Sequence, residues 1–387
     1  MTSGLTAVTP RSGKPGCAPM RLLVISNMWP SEASPAFGSF IARQAKCLRE
    51  VGAEVTVVAN TDNRRGPFRS ALKYASLSRR ARRAALSGSF DAVVGHFLYP
   101  TAAFALEAAR RADAPLVLVS HGTDSRSVMR EDRFARRSRE ALTAAALVVA
   151  VSGALRDTLR ETVGVPTSVP IAVINMGFDD TIFKPDSGAR DKLDLGESER
   201  VVLFVGNFEP VKGIDVLLDA FVRLLDKGAA DRLVLVGAGS LESFIRERIA
   251  DLAGDGAHAD LFGRVTLTGV LGQRDLARWM AATDVLVLPS RNEGLGVVLL
   301  EAMASGTPCV ASRVGGTPEV LDDTCGRLTP VEDPAALAEA IHEVLVLGKD
   351  TFREACIARA AEHTSFAKAV EFLEYIEKVV GRRGSQG

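Results

Sequence analysis

Residues 284–318 read DVLVLPSRNEGLGVVLLEAMASGTPCVASRVGGTP, and the order of residue types along that stretch decides the fold. Val285–Leu288 is an apolar run of strand length, the pattern of a strand buried on both faces of a parallel sheet. It runs into Pro289-Ser290, then Glu293-Gly294-Leu295-Gly296, then a helix that carries Glu301. Gly294 and Gly296 leave the backbone bare where the helix begins. Unpaired N–H groups and the helix dipole there suit an anion such as a diphosphate. Glu301, a turn and a half into the helix, can point its carboxylate at a neutral diol such as a ribose. Glu293, ahead of the helix, can sit over whatever hangs from the diphosphate. Carboxylates repel phosphate, so two of them flanking an anion hole suggest a ligand of the form diol–diphosphate–polyol, which is a nucleotide sugar.

Working outward, Val201–Gly213 (VVLFVGNFEPVKG) is a strand ending in Gly206-Asn207, with Lys212-Gly213 opening the next helix. Lys212 can neutralise the same diphosphate. Strand-like and helix-like runs alternate through the rest of the chain, the signature of a parallel sheet wrapped by helices. The strands expected are Leu22–Ile25, Val55–Val58, Ala92–Val94, Leu116–Val119, Leu147–Val151 and Ile171–Ile174, then Val201–Val205, Leu233–Val236, Val265–Leu267, Val285–Leu288 and Cys309–Ala311. Ile214, Leu217, Leu218, Phe221, Leu224 and Leu225 form one helical stripe, and Asp333-Pro334 caps another helix. A last helix places Phe366, Val370, Leu373, Ile376 and Val380 on one face. The polar stretch Lys184–Arg200 (KPDSGARDKLDLGESER) reads as a linker, bounded at 185–199. The expectation is α/β: two Rossmann-like, doubly wound domains, 20–184 and 200–365, facing a central cleft. A tail over 1–19 lies before them and a C-terminal helix over 366–387 crosses back to the first domain. Ligands bind at the carboxyl ends of parallel strands, so the site is expected between the halves.

In the first half, Pro30–Phe40 (PSEASPAFGSF) is a long loop leading to Gly38 at a helix start, where the backbone could approach the ligand. His121-Gly122-Thr123-Asp124 follows the fourth strand, which makes His121 a hydrogen-bond or proton-handling candidate. His96 is a second candidate.

Other chemistries are excluded or disfavoured. Lys plus Arg and Asp plus Glu are both 47, a balance that argues against a nucleic-acid binder. The 387 residues suffice for two domains and hold five scattered cysteines without a C-x-x-C pair, which suits free thiols in a reducing cytosol. No apolar stretch approaches a membrane span, and the first 19 residues lack the apolar core of a secretory signal. Met20 is an alternative start. Gly237-x-Gly239 after a strand resembles a dinucleotide fingerprint, but Glu242 stands where the third Gly belongs and would repel a pyrophosphate. P-loop, Gly-x-Ser-x-Gly and Asp-x-Asp patterns are missing from the sequence, and neither a metal nor a cofactor is expected.

Taken together these motifs resemble glycosyltransferase family 4, retaining enzymes of the GT-B fold, over residues 20 to about 380. Glu293-x7-Glu301 is similar to that family's paired-Glu motif, and EAMASGTPCVASRVGGTPEV to the segment after it. VINMGFDDTIFKP resembles the stretch that ends the first domain, and HGTD the family's His-Gly-x-Asp. SNMWPSEASPAFGSF resembles members that build bacterial cell-surface polysaccharides. The resemblance implies that Glu293 contacts the donor sugar and Glu301 the ribose. It implies that Lys212 holds the diphosphate with backbone groups of Gly38, Leu295 and Gly296, and that the backbone at Val270 meets the base. His121 would lie near the transferring sugar, and with Glu293 it is the catalytic candidate. Asn207 stands where many members carry Arg, which removes one positive charge from the diphosphate site.

The implied partners are a nucleotide sugar and a glycan or lipid-linked acceptor. Arg64–Arg83, rich in Arg without an acid, is either a solvated face or a contact for an anionic membrane. The expected location is the cytoplasm, peripheral on the inner face of the membrane. A nucleotide-sugar epimerase or phosphorylase, an NAD-dependent oxidoreductase and a silent binding protein remain alternatives.

Overall fold

A computed structural model describes residues 18–32, 34, 37–62, 66–254 and 259–384. The tail expected over 1–19 therefore lies mostly outside the described residues, as do Cys17, Arg64 and Arg65. The chain forms two compact units, one of residues 1–177 with 365–387 and one of residues 178–364.

The first unit is built on β1 (Arg21–Ser26), β2 (Glu54–Ala59), β3 (Ala92–His96), β4 (Leu116–Ser120), β5 (Leu147–Ala150) and β6 (Ile171–Val173). They form one sheet in the order β2-β1-β3-β4-β5-β6, every pairing parallel. Leu22, Leu23, Val24 and Ile25 of β1 are all at most 2% exposed, as expected for a strand covered by helices on both faces. The last helix, Ser365–Gly384, belongs to this unit and packs against Ser39–Glu50. Its buried stripe is Ala369, Phe372 and Ile376, rotated from the face expected, and Phe366 and Val370 are only half-buried.

The second unit contains β7 (Val201–Val205), β8 (Arg232–Val236), β9 (Val265–Gly269), β10 (Val285–Leu288), β11 (Cys309–Ser312) and β12 (Gly326–Thr329). Its order is β12-β11-β10-β7-β8-β9, again parallel throughout. β12 was missing from the sequence reading. It is an edge strand, GRLT, whose half-buried Arg327 and Leu328 give no apolar run. Asp333 caps the helix Pro334–Leu347 as expected, its side chain accepting from the N–H groups of Ala335 and Ala336.

The expected linker, 185–199, is a correction. Phe178, Phe183, Ala189 and Leu195 are all buried in the core of the second unit, which begins at Phe178. Arg190 fastens the segment by donating to the carbonyls of Ala282 (2.8 Å) and Gly196 (2.7 Å). Sparse apolar residues and high polarity imitate a linker here because the segment lies on the surface of its unit. Cys47, Cys309, Cys325 and Cys356 are buried thiols, and no helix among the described residues is long and apolar enough to cross a membrane.

Candidate functional site

In the second sheet β7 pairs with β8 on one side and with β10 on the other, so the winding of the chain reverses between β7 and β10. The loops leaving the carboxyl ends of those two strands border the crevice where doubly wound sheets take ligands. They are joined closely. The N–H of Arg291 donates to the carbonyl of Val211 at 2.8 Å. Gly213 has φ +65°, and a Cβ there would sit 2.1 Å from the carbonyl oxygen of Pro289. Only glycine lets the first loop turn into the helix Ile214–Asp226 against the second loop.

That closure brings Lys212 and Glu293 together, the lysine Nζ 2.5 Å from Oε1 of the carboxylate. The Ser290 hydroxyl donates to the same oxygen at 2.8 Å. The side chains are 23% and 10% exposed, so the pair is reachable yet largely shielded from solvent. A charge pair in such a place is strengthened by the low dielectric around it.

Arg291 holds the two loops in register, and the sequence reading missed it. Its guanidinium meets Asp215 through two bonds, 3.0 and 2.7 Å, and its Nε donates to Glu332 at 2.7 Å. Burial pushes the Asp215 carboxyl up, but the Arg291 bonds and charge outweigh it and leave the group below its ordinary range. The bonds of Asp215, then of Glu332, hold the guanidinium above its own. The available signal was an Arg between a strand end and Glu293, with an acid just after Lys212-Gly213.

Gly296, at φ +84°, is the N-cap of the helix Val297–Ala304 and supplies no side-chain cap, so backbone donors open that helix. The side chain of Leu295 is buried in the core, which leaves only its backbone to face a ligand. Glu301 is half-buried in the second turn of the same helix, and Asn207 is exposed just past the end of β7. Val270 follows β9 directly and is 60% exposed. Asn207, Lys212, Glu293, Leu295, Gly296 and Glu301 thus all sit on the β7 and β10 connections, with Val270 past the next strand end but one. The Gly237-x-Gly239 pattern has a packing explanation: Cβ atoms there would meet the carbonyl oxygens of Gly206 at 1.9 Å and Phe208 at 2.4 Å. These glycines let the β8 connection lie on the β7 connection.

The first unit holds Gly38 and His121. Gly38, φ +75°, begins the helix Ser39–Glu50, and a Cβ there would lie 2.7 Å from the carbonyl carbon of Met28 in the β1 connection. His121 lies just past the end of β4, its Nε2 3.2 Å from Nδ1 of His96 at the end of β3. The two rings stack with centroids 5.4 Å apart, and Phe97 (4.6 Å) and Phe40 (5.0 Å) enclose His121 further. Burial lowers His96 to about 3, and burial together with His96 lowers His121 well below its ordinary value. Both rings are therefore neutral at pH 7, one donating and one accepting between them.

The buried carboxylate of Asp124 orders this corner. It accepts from the N–H of Leu98 (2.8 Å), the N–H of His121 (3.0 Å) and the Ser120 hydroxyl (3.2 Å). Burial raises its carboxyl above the ordinary range, and these donors oppose the rise. Between His96 and Leu98, Phe97 is held at φ +69°, a strained conformation for a bulky residue.

Known proteins are similar to this chain in sequence and in fold. The model described as Glycosyltransferase Family 4 matches residues 38–181, and that described as Glycosyl transferases group 1 matches residues 199–347. The D-inositol 3-phosphate glycosyltransferase of Streptosporangium roseum is 35% identical over 198 residues, 49% of this chain and 46% of that protein. The protein of the same name from Nocardioides sp. is 36% identical over 203 residues, 50% of this chain and 44% of its own. The matches thus span about half the length of these curated relatives. Among solved structures, sucrose-phosphate synthase from Thermosynechococcus elongatus matches with a TM-score of 0.77 at 22% identity, over 94% of this chain and 100% of that one. HepE from Anabaena in complex with UDP matches with a TM-score of 0.73 at 22% identity, over 93% and 100%. At those identities the likeness is one of fold. Residues 38–181 thus form a Glycosyltransferase Family 4 domain and residues 199–347 a Glycosyl transferases group 1 domain, one along each unit of a two-domain GT-B fold.

Proposed function

We propose that the second unit binds a nucleoside-diphosphate sugar and that the chain transfers the sugar, with retention of configuration, to an acceptor hydroxyl. The observation that carries this reading is the Lys212–Glu293 pair on the β7 and β10 connections, beside the backbone donors that open the helix at Gly296. An anionic diphosphate competes with Glu293 for Lys212. When it binds, the ammonium turns to phosphate and the carboxylate is released to accept from the sugar's hydroxyls. Glu301 takes the ribose diol, and the backbone at Val270 takes the base.

The reaction breaks the C1–O bond to the diphosphate, forms C1–O to the acceptor, and passes the acceptor proton to the departing phosphate side. Stabilising the leaving diphosphate is the main requirement, and Lys212 with the Gly296 backbone supplies it. These groups do so without a resident metal. His121, in the first unit, offers a neutral imidazole in this reading, a hydrogen-bonding group that adds no charge.

The acceptor is a glycan or lipid-linked saccharide of cell-surface synthesis, made on the cytoplasmic side of the membrane. The names of the curated relatives add a phosphorylated polyol to the acceptors worth trying. The test is a radiolabelled transfer assay with UDP-, GDP-, ADP- and CDP-sugars in the presence of EDTA. Transfer with retained configuration that EDTA leaves intact supports the reading. Inverted product, or activity lost with EDTA and restored by a divalent ion, overturns its stereochemical or metal-free part.

A further inference from the structure

The described part of the Arg64–Arg83 run forms the helix Pro67–Ser87, which the donor chemistry leaves unused. That helix packs beside Thr101–Ala112, which in turn packs beside Arg133–Ala144. In these three helices Lys and Arg number twelve and acids two, Glu107 and Glu140, within a chain that balances 47 against 47. The rest of the chain is accordingly net acidic, and the positive charge is concentrated on one layer. Arg82, Arg111 and Arg137, one from each helix, converge on Glu107 at 2.9, 3.4 and 3.8 Å. One carboxylate shared by three guanidiniums leaves the junction of the helices positive.

The first of these helices also carries apolar groups outward. Leu77, Ala81 and Ala85 are at most 2% exposed and face its own unit. Arg69, Leu72, Ser76, Arg79, Arg83 and Leu86 recur at alternating steps of three and four, so they share the opposite face. All six are exposed, Leu72 at 59% and Leu86 at 67%. A soluble polyanion has no use for protruding leucines. A bilayer surface matches both features, because phosphates meet the guanidiniums while leucines enter the boundary between headgroups and acyl chains.

We propose that this three-helix face is a docking surface for a bilayer rich in anionic lipid. It stands independently of the donor reading. The test is flotation of the full chain with phosphatidylcholine vesicles containing roughly a third phosphatidylglycerol, against phosphatidylcholine alone. Binding is expected only to the anionic vesicles, and is expected to fall about tenfold or more in roughly 0.5 M salt. Arg79→Glu with Arg83→Glu is expected to cut it by about tenfold or more. Leu72→Ser with Leu86→Ser is expected to cut it several-fold with the salt dependence kept. Equal binding to both vesicles, no binding to either, or binding that survives the Arg changes overturns the proposal. So does capture by soluble polyphosphate with the vesicles left unbound. Circular dichroism and nucleotide-induced thermal shift on the same variants separate this result from misfolding and from failure of the donor site.

Discussion

At the carboxyl end of the second sheet, Lys212 and Glu293 stand as a charged pair held by Ser290 and by the Arg291–Asp215 clamp. At the carboxyl end of the first, His96 and His121 stand as neutral rings enclosed by Phe40 and Phe97. Both corners use the same framework, parallel strands whose connections fold back on one another. They differ in what holds those connections together. Ion pairs join the connections in the second unit and keep full charges there, whereas aromatic packing and the hydrogen bonds of buried Asp124 join them in the first, where burial keeps the two imidazoles uncharged. On the function proposed above, the second corner exchanges one ionic partner for another and the first offers a directed hydrogen bond to a neutral group.

That contrast has measurable consequences. Gly213 lies tight against Pro289 in the second corner, so Gly213→Ala should cost about 2–4 kcal/mol of stability through backbone strain and overpacking. Thermal denaturation checks it, and an unchanged midpoint would mean that the two loops are not locked. Next in size is Arg291→Lys, which loses the two-bond fork on Asp215. A roughly tenfold rise in donor KM with kcat little changed is expected, because the clamp positions Lys212 without touching substrate. An equal loss in kcat and kcat/KM would place Arg291 in the reaction itself.

The first corner should respond to pH instead. Both histidines are lowered in the folded chain, so their neutral forms contribute fully above the unfolded value near 6.5. Stability is then lost as pH falls below 6.5, where the unfolded chain takes up protons that the folded one refuses. The slope is at most about 1.4 kcal/mol per pH unit for each ring. Asp124, raised by burial, acts in the opposite sense at lower pH still, as the folded chain binds its proton first. Denaturant titrations from pH 7 to 5 should show the slope, and His96→Gln should remove His96's share of it. A slope that His96→Gln leaves unchanged would show that the ring pair is not the source. The smallest effect expected is at Asn207, where Asn207→Arg should tighten nucleotide binding by a few-fold, since the exposed position screens the added charge. Calorimetry would read it, and a large gain would mark Asn207 as a weak point of the site.

Much of the fold could be read from sequence because strands covered on both faces are runs of Val, Leu and Ile with little else. Arg327 in β12 and the polar surface of 185–199 broke that rule, and those are the places where the reading failed. Lys212, Glu293 and Gly296 stood out as candidates because each stands next to a strand end or helix start. Their mutual contact could not, since 81 residues separate the lysine from the glutamate. Arg291 and Asp215 were missed for the same reason: an Arg and an Asp far apart in sequence look like two surface charges until the fold makes them a fork. His96 was a minor candidate because nothing local shows that β3 and β4 are neighbours in register.

The most direct test is calorimetric titration of UDP, GDP, ADP, CDP and NAD(P) into the full chain and into Lys212→Ala and Glu301→Ala. One nucleoside diphosphate is expected to bind the parent chain, with affinity about 100-fold weaker or undetectable in both variants. Binding of NAD(P) alone, of none of these nucleotides, or of a nucleoside diphosphate that both variants keep unchanged would contradict a donor site on the β7 and β10 connections.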